Sequence, residues 1–100
     1  FSDFSSYGKV ASCITTIVQL GSILFGYESN PDSSDMLQYY QQLLNSTSEC
    51  ITESNNVISK IPKDNPHGGD LKTILQVLIS NCEQIQAIIP PTKQFKGSLK

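Results

Sequence analysis

Apolar residues recur three or four positions apart in three separate stretches of the chain, which is the spacing of one face of an α-helix. The clearest stretch runs from Asp70 to Ile89, and its periodic apolar positions are Leu71, Ile74, Leu75, Leu78, Cys82, Ile85 and Ile89. Val77, Ile79 and Ile88 add apolar surface outside that face. We expect a helix that is apolar over so much of its circumference to need cover on more than one side.

A second periodic stretch runs from about Tyr7 to Tyr27. Its spacing is carried by Tyr7, Val10, Ile14, Ile17, Gly21 and Leu24, with Cys13, Leu20, Ile23 and Tyr27 beside them. The β-branched residues from Ile14 to Val18 would also suit a strand, but strict alternation is missing, so the pattern predicts a helix. A glycine such as Gly21 costs a helix about 1 kcal/mol relative to alanine, and a close approach of a neighbouring helix there would justify it.

The third stretch, from about Asp35 to Ile61, separates an apolar side from a polar side. The apolar side is Leu37, Tyr40, Leu43, Leu44, Thr47, Cys50, Ile51, Ser54, Val57, Ile58 and Ile61. The polar side is Gln38, Gln41, Gln42, Asn45, Ser48, Glu49, Thr52, Asn55, Asn56 and Ser59. Poor helix formers crowd the middle of this stretch, so we expect it to be helical there only because tertiary packing holds it; a kink or break near Asn45–Ser48 is the alternative.

Turn signals separate the three stretches. Asn30-Pro31 ends the first, because a residue before proline avoids the α region. The run from Pro62 to Gly69 is a loop, with Asp70 expected to cap the last helix. The sequence therefore predicts one all-α domain over residues 1–100, an up-down-up bundle of three main helices (about 7–27, 35–61 and 70–89). A C-terminal segment is expected to pack across the bundle.

Composition narrows the class of protein. Hydrophobic residues make up 38% and the net charge is -2, which is typical of a folded chain. Charged residues are only 16%, with Ser, Thr, Asn and Gln in their place, and this favours an extracellular protein. The absence of arginine argues against nucleic-acid binding. We expect no transmembrane segment, because polar residues interrupt the best candidate, Val10 to Tyr27.

The three cysteines are predicted to share one layer of the bundle. Counted from the two turns at a rise of about 1.5 Å per residue, Cys13, Cys50 and Cys82 lie within about 2 Å of the same height. Facing helices then bring their Cα atoms into the range of a disulfide. Cys50–Cys82 is the preferred pair, closing a loop of about 32 residues, and Cys13–Cys50 is the alternative. An equal alternative is three reduced, buried thiols.

Candidate chemistry is sparse elsewhere. Asn45 begins an Asn-Ser-Thr sequon on the polar side of its helix, although such a triplet also arises by chance and a formed helix is a poor acceptor. His67 is the single histidine and is expected to be a solvated loop residue. A metal site on the thiols is disfavoured, because zinc sites have local CxxC-like pairs and a fourth ligand. We expect no enzyme activity and no cofactor.

The surplus apolar surface leads to the functional hypothesis. We expect a small secreted binding protein that covers this surface with a hydrophobic ligand, a protein partner or a second copy of itself. The residues expected to take part are Val77, Ile79, Ile88, Leu20, Ile23 and Tyr40. The alternative is an intracellular helical interaction module that belongs to a longer chain and takes a partner helix. That alternative predicts reduced cysteines and no glycan.

Overall fold

The computed structural model describes residues 4–26 and 34–89, and it contains three helices, α1 (Phe4–Gly26), α2 (Ser34–Lys60) and α3 (Gly68–Ile88). The predicted all-α fold is confirmed, with each helix beginning and ending within three residues of its expected bounds. The β-branched run in the first helix is helical, not a strand. The expected C-terminal segment falls among residues 90–100, outside the described residues.

The central helix is α2, which packs against both α1 and α3. Its buried side is made of small residues in the middle, so both neighbours can approach closely. Four of these side chains are completely buried: Thr47, Cys50, Ser54 and Val57. Within the described residues, α1 and α3 do not approach each other with Cα atoms closer than 8 Å. Each outer helix therefore has one helical neighbour in the described part of the chain.

Three groups of buried side chains run along α2. At the end near the α2–α3 turn, Val57 lies with residues from both outer helices, Val10 and Leu75. The three cysteines occupy the middle. At the far end, the group is Leu20, Leu43, Leu44 and Ile89. From the first of these groups to the last, residue numbers increase along α1 and α3 and decrease along α2. The two outer helices are therefore antiparallel to α2, as the predicted up-down-up order requires.

The prediction of one helix here is confirmed, because α2 is continuous through Asn45–Ser48. The hydroxyl of Thr47 donates to the carbonyl oxygens of Leu43 and Leu44, both at 3.0 Å. The Thr47 hydroxyl thereby has hydrogen-bond partners within its own helix, while tertiary packing buries the side chain. Poor intrinsic propensity is overridden at this point by burial.

The α2–α3 turn corrects the predicted cap. The amide of His67 donates to the Asn65 side chain at 2.8 Å, and the amide of Gly68 donates to the Asn65 carbonyl at 3.0 Å. This Asx turn lets α3 begin two residues earlier than expected, so Asp70 lies within the first turn. His67 occupies the N-cap position but its side chain makes no capping hydrogen bond.

Gly21 also differs from expectation. A Cβ atom at this position would meet nothing within 4 Å, so no helix of the described chain approaches it closely. Two residues assigned to buried faces, Ile14 and Ile74, are exposed as well. The reason is the same in each case: α1 and α3 bury only the side that faces α2.

Candidate binding face

The exposed side of α1 carries an apolar stripe. Ile14, Val18 and Phe25 follow one another at intervals of four and seven residues, which places them along one line of the helix. Val18 is 62% exposed and Phe25 is 77% exposed. Gly21 lies between them, with open space above its Cα. This arrangement leaves large side chains in water beside a gap that a second helix could enter.

A second apolar stripe lies on α3. Ile74, Val77 and Ile88 are 63%, 55% and 77% exposed. Asn81 is exposed between them, and Ile85 is half-buried at the edge. The five positions are three, four, four and three residues apart, so they stay on one side of the helix.

Both stripes lie on sides of α1 and α3 that do not face α2. At about 100° per residue, the α1 stripe is rotated about 100° in one sense from the residues that face α2, and the α3 stripe about 120° in the opposite sense. Because α1 and α3 run in the same direction on either side of α2, these opposite rotations point both stripes away from α2. We call this surface the apolar face; its members are Ile14, Val18, Gly21, Phe25, Ile74, Val77, Asn81, Ile85 and Ile88.

The apolar face is nearly free of charge. From Val10 to Gly26 no residue is charged, and from Thr73 to Ile88 the one charged residue is Glu83, on the other side of α3. The exposed side of α2, in contrast, is covered by polar side chains: Gln38, Gln42, Asn45, Ser48, Glu49, Thr52, Asn55, Asn56 and Ser59. The molecule therefore has a solvated side and an apolar side.

The residues proposed from sequence divide between these regions. Val77 and Ile88 lie on the apolar face, whereas Ile79 is half-buried on another side of α3 and Ile23 is exposed on another side of α1. Leu20 is buried in the end cluster of the core, and Tyr40 packs against the same cluster.

Sequence reasoning missed four of the six large exposed apolar residues of the apolar face: Ile14, Val18, Phe25 and Ile74. Ile14 and Ile74 had been assigned to buried faces, and Val18 and Phe25 were not proposed for any site. Their heptad-like spacing could have identified them, because it marks a second apolar side on a helix that already has a buried side.

The three cysteines meet in the predicted layer, and Ile17, Ile51 and Leu78 pack around them. All three are free and buried, so the predicted Cys50–Cys82 disulfide and its Cys13 alternative are not formed.

Burial makes two of these thiols, Cys13 and Cys82, weaker acids than usual. It raises the pKa of Cys13 to about 11, with further contributions from the nearby Glu49 carboxylate and its hydrogen bond. Burial also raises the pKa of Cys82 to about 12, followed by a hydrogen bond with Cys50. The thiolate is the nucleophile and the metal ligand, so at neutral pH these groups behave as small apolar side chains. Residues 4–26 and 34–89 hold no cluster of three metal-ligating side chains with suitable geometry.

A cleft of about 250 Å³ lies apart from the apolar face, at the α2–α3 turn. Its wall includes Ile58, Ile61 and the first residues of α3, with Lys63 and Lys72 at the rim. The sequon residue Asn45 is exposed in the middle of α2, where it accepts a hydrogen bond from Gln41 at 3.3 Å.

One helix in the described ranges, Tyr7–Gly26, is long and apolar enough to cross a membrane by length and composition. A core helix of a water-soluble protein and a signal sequence pass the same test, so the expectation of no transmembrane segment stays a prediction. Comparison with protein families, with characterised proteins and with solved structures gives no significant match.

Proposed function

We propose that this protein is a non-enzymatic helical binding protein whose apolar face is covered by a partner. The observation that carries the proposal is the charge-free apolar face, which combines strongly exposed side chains from both outer helices, Val18 and Phe25 on α1 and Ile74, Val77 and Ile88 on α3. Large apolar side chains exposed in stripes of this kind mark interaction sites in small proteins.

The driving force is the removal of these side chains from water. Burial of apolar surface contributes about 25 cal/mol per Å². The absence of charge between Val10 and Gly26 means that little desolvation of ionised groups opposes it. The surface is therefore suited to an apolar partner and unsuited to a nucleic acid or a highly charged peptide.

The shape of the surface favours a protein partner over a small hydrophobic ligand. Small-molecule sites are concave and enclose most of their ligand, whereas the apolar face is formed by two parallel helices with side chains standing in solvent. The cleft at the α2–α3 turn includes no residue of the apolar face. An apolar helix packed along one of these stripes fits such a surface.

Secretion belongs to this proposal and is supported by the low charge and by the exposed Asn45 sequon. The intracellular alternative is favoured by a different observation, the three free buried thiols, because the cytosol keeps cysteines reduced. Intact mass of the natural protein, with and without alkylation under denaturing conditions, separates the two. A glycan at Asn45 supports secretion; three alkylated cysteines and no glycan support the intracellular module.

The binding proposal is tested with the neutral dye Nile red and the full chain at high dilution. We expect dye fluorescence to rise on binding to the wild type and to fall several-fold in Val18→Lys, which places a charge in the centre of the α1 stripe. Thr52→Lys, an equally exposed change on the polar side of α2, is the matched control and should bind like the wild type. Equal dye binding by all three proteins would overturn the proposal.

A further inference from the structure

We propose that the partner of the α3 stripe is a second copy of this chain, with the two α3 helices antiparallel across a two-fold axis at Asn81. This rests on the proposed function and names the occupant of one part of the apolar face. The α3 stripe is symmetric about its centre, since Ile74 and Ile88 each lie seven residues from Asn81, and Val77 and Ile85 each lie four from it.

This symmetry makes the stripe complementary to itself. In an antiparallel pair, residues at equal distances on either side of the axis meet, so Ile74 of one copy lies against the partner's Ile88. Val77 lies likewise against the partner's Ile85. A two-fold interface requires such reciprocal contacts, in which each residue finds its mate on the other copy. The α1 stripe is also symmetric in its spacing, at intervals of four, three and four residues, but its centre pairs Val18 with Gly21 and carries no polar group that could fix a register.

The residue on the axis meets its own copy. The Asn81 carboxamide has both a donor and an acceptor, so two such groups can hydrogen-bond to each other. A single asparagine among apolar contact positions fixes the register of paired helices at some cost in stability. Asn81 would therefore hold the two copies in the one register that also aligns the isoleucines.

Charge selects the antiparallel direction. Asp70 continues the line of the stripe towards the start of α3. In a parallel pair it would face the same carboxylate of the other copy, which is destabilising. In the antiparallel pair the two Asp70 side chains lie at opposite ends, and the helix dipoles oppose each other favourably. No other charged residue of α3 lies on the stripe.

The contact is small. Five side chains per copy along about 22 Å of helix fall at the low end of specific interfaces, below about 1,200 Å² in total. We therefore expect a weak dimer with a dissociation constant on the order of 10 μM, in exchange with monomer.

Sedimentation velocity of the full chain over a concentration series tests the dimer, and two charge variants test its direction. Ile74→Lys and Ile88→Glu should each weaken dimerisation by about 10-fold or more, because each buries a charge against an isoleucine. When the two variants are mixed, the new lysine of one faces the new glutamate of the other, and heterodimers should form at least as well as wild-type dimers. A parallel pair gives no such rescue.

Gln76→Lys is the control, since Gln76 is exposed on a different side of α3; its dimerisation should match the wild type. Circular dichroism confirms that each variant is folded, which we expect because both isoleucines are mostly exposed. A wild type that stays monomeric throughout the series, or a mixture that stays monomeric, overturns the antiparallel α3 pair. A monomeric wild type whose Nile red binding still depends on Val18 would contradict the dimer but not the proposed binding function. Failure of the dimer proposal can therefore be distinguished from failure of the binding proposal.

Discussion

Thr47 and Ser54 are both fully buried on α2, but their hydroxyl groups differ in hydrogen bonding. The Thr47 hydroxyl donates within its helix and accepts from the Gln86 side chain of α3 at 2.9 Å, while Gln86 also donates to Ser48 at 3.0 Å. The Ser54 hydroxyl has no partner. Desolvating an unpaired hydroxyl is unfavourable, whereas a satisfied one contributes to stability.

We therefore expect Ser54→Ala to leave the free energy of unfolding unchanged or to raise it by up to about 1 kcal/mol. Thr47→Val keeps the shape but removes the acceptor for Gln86, and should lower it by about 1 kcal/mol. Urea denaturation of both variants measures the difference. If the serine variant loses as much stability as the threonine variant, the Ser54 hydroxyl has a partner and our description of this layer is wrong.

The buried thiols give a prediction for alkaline pH. The ordinary thiol pKa is 9.0, and it is raised to about 11 at Cys13 and about 12 at Cys82 in the folded chain. When the pH exceeds the thiol pKa of the unfolded chain, the unfolded chain loses these protons before the folded chain does. The contribution of the protonated thiols to stability is therefore fully present below pH 9 and is lost as the pH rises towards 11 to 12.

At pH 10 we expect this loss to be about 1 kcal/mol for each of the two thiols. Denaturant unfolding at pH 7 and pH 10 measures it, and Cys82→Ala is the comparison that removes one contribution while keeping the lysines and tyrosines. An identical pH dependence in the two proteins would contradict the raised pKa of Cys82. At neutral pH, all three thiols of the folded protein should react slowly with iodoacetamide.

At the scale of the helices, Gly21 and Gly68 occupy different environments. A Cβ at Gly21 would meet nothing within 4 Å, whereas one at Gly68 would lie 3.1 Å from the Ile61 side chain. Gly21→Ala should raise the free energy of unfolding by about 0.5–1 kcal/mol, because alanine loses less backbone entropy in a helix. Gly68→Ala should gain less or be destabilising, since Ile61 must shift.

Thermal unfolding of the two alanine variants in parallel makes this comparison. A loss of stability in Gly21→Ala at high dilution would show that another part of the chain approaches α1 at this point. Such a result would mean that the gap in the α1 stripe is already occupied.

The arrangement of the helices was predictable wherever regular geometry decides it. Turn residues located the ends of the helices, and a fixed rise per residue then placed Cys13, Cys50 and Cys82 at one level. The continuity of α2 at Thr47 was predicted to depend on tertiary packing, because intrinsic helix propensity is low there and burial between two neighbours has to hold the helix. The cap of α3 was missed because Asn65 organises the turn through a side-chain hydrogen bond that propensities do not encode.

At the scale of the whole molecule, the sequence contains the apolar face but does not identify it. Periodicity identifies the apolar sides of a helix but not the number of helices that pack against it. Ile14 and Ile74 were therefore predicted to be buried. Among the three described helices, α2 alone receives cover on two sides. The apolar residues on the outer sides of α1 and α3 are what remain when two helices pack against a central one, and their freedom from charge is a property that the fold does not require.

The central claim is that this apolar face, and not the cleft at the α2–α3 turn, is the binding surface. Methyl-resolved NMR during titration with octyl glucoside below its micelle concentration tests it most directly, because the uncharged detergent chain reports where apolar groups bind. We expect saturable chemical-shift changes at the methyl groups of Ile14, Val18, Ile74, Val77 and Ile88 and no change at the methyl groups of Val57. Shifts concentrated at Ile58 and Ile61, beside the cleft, would contradict it.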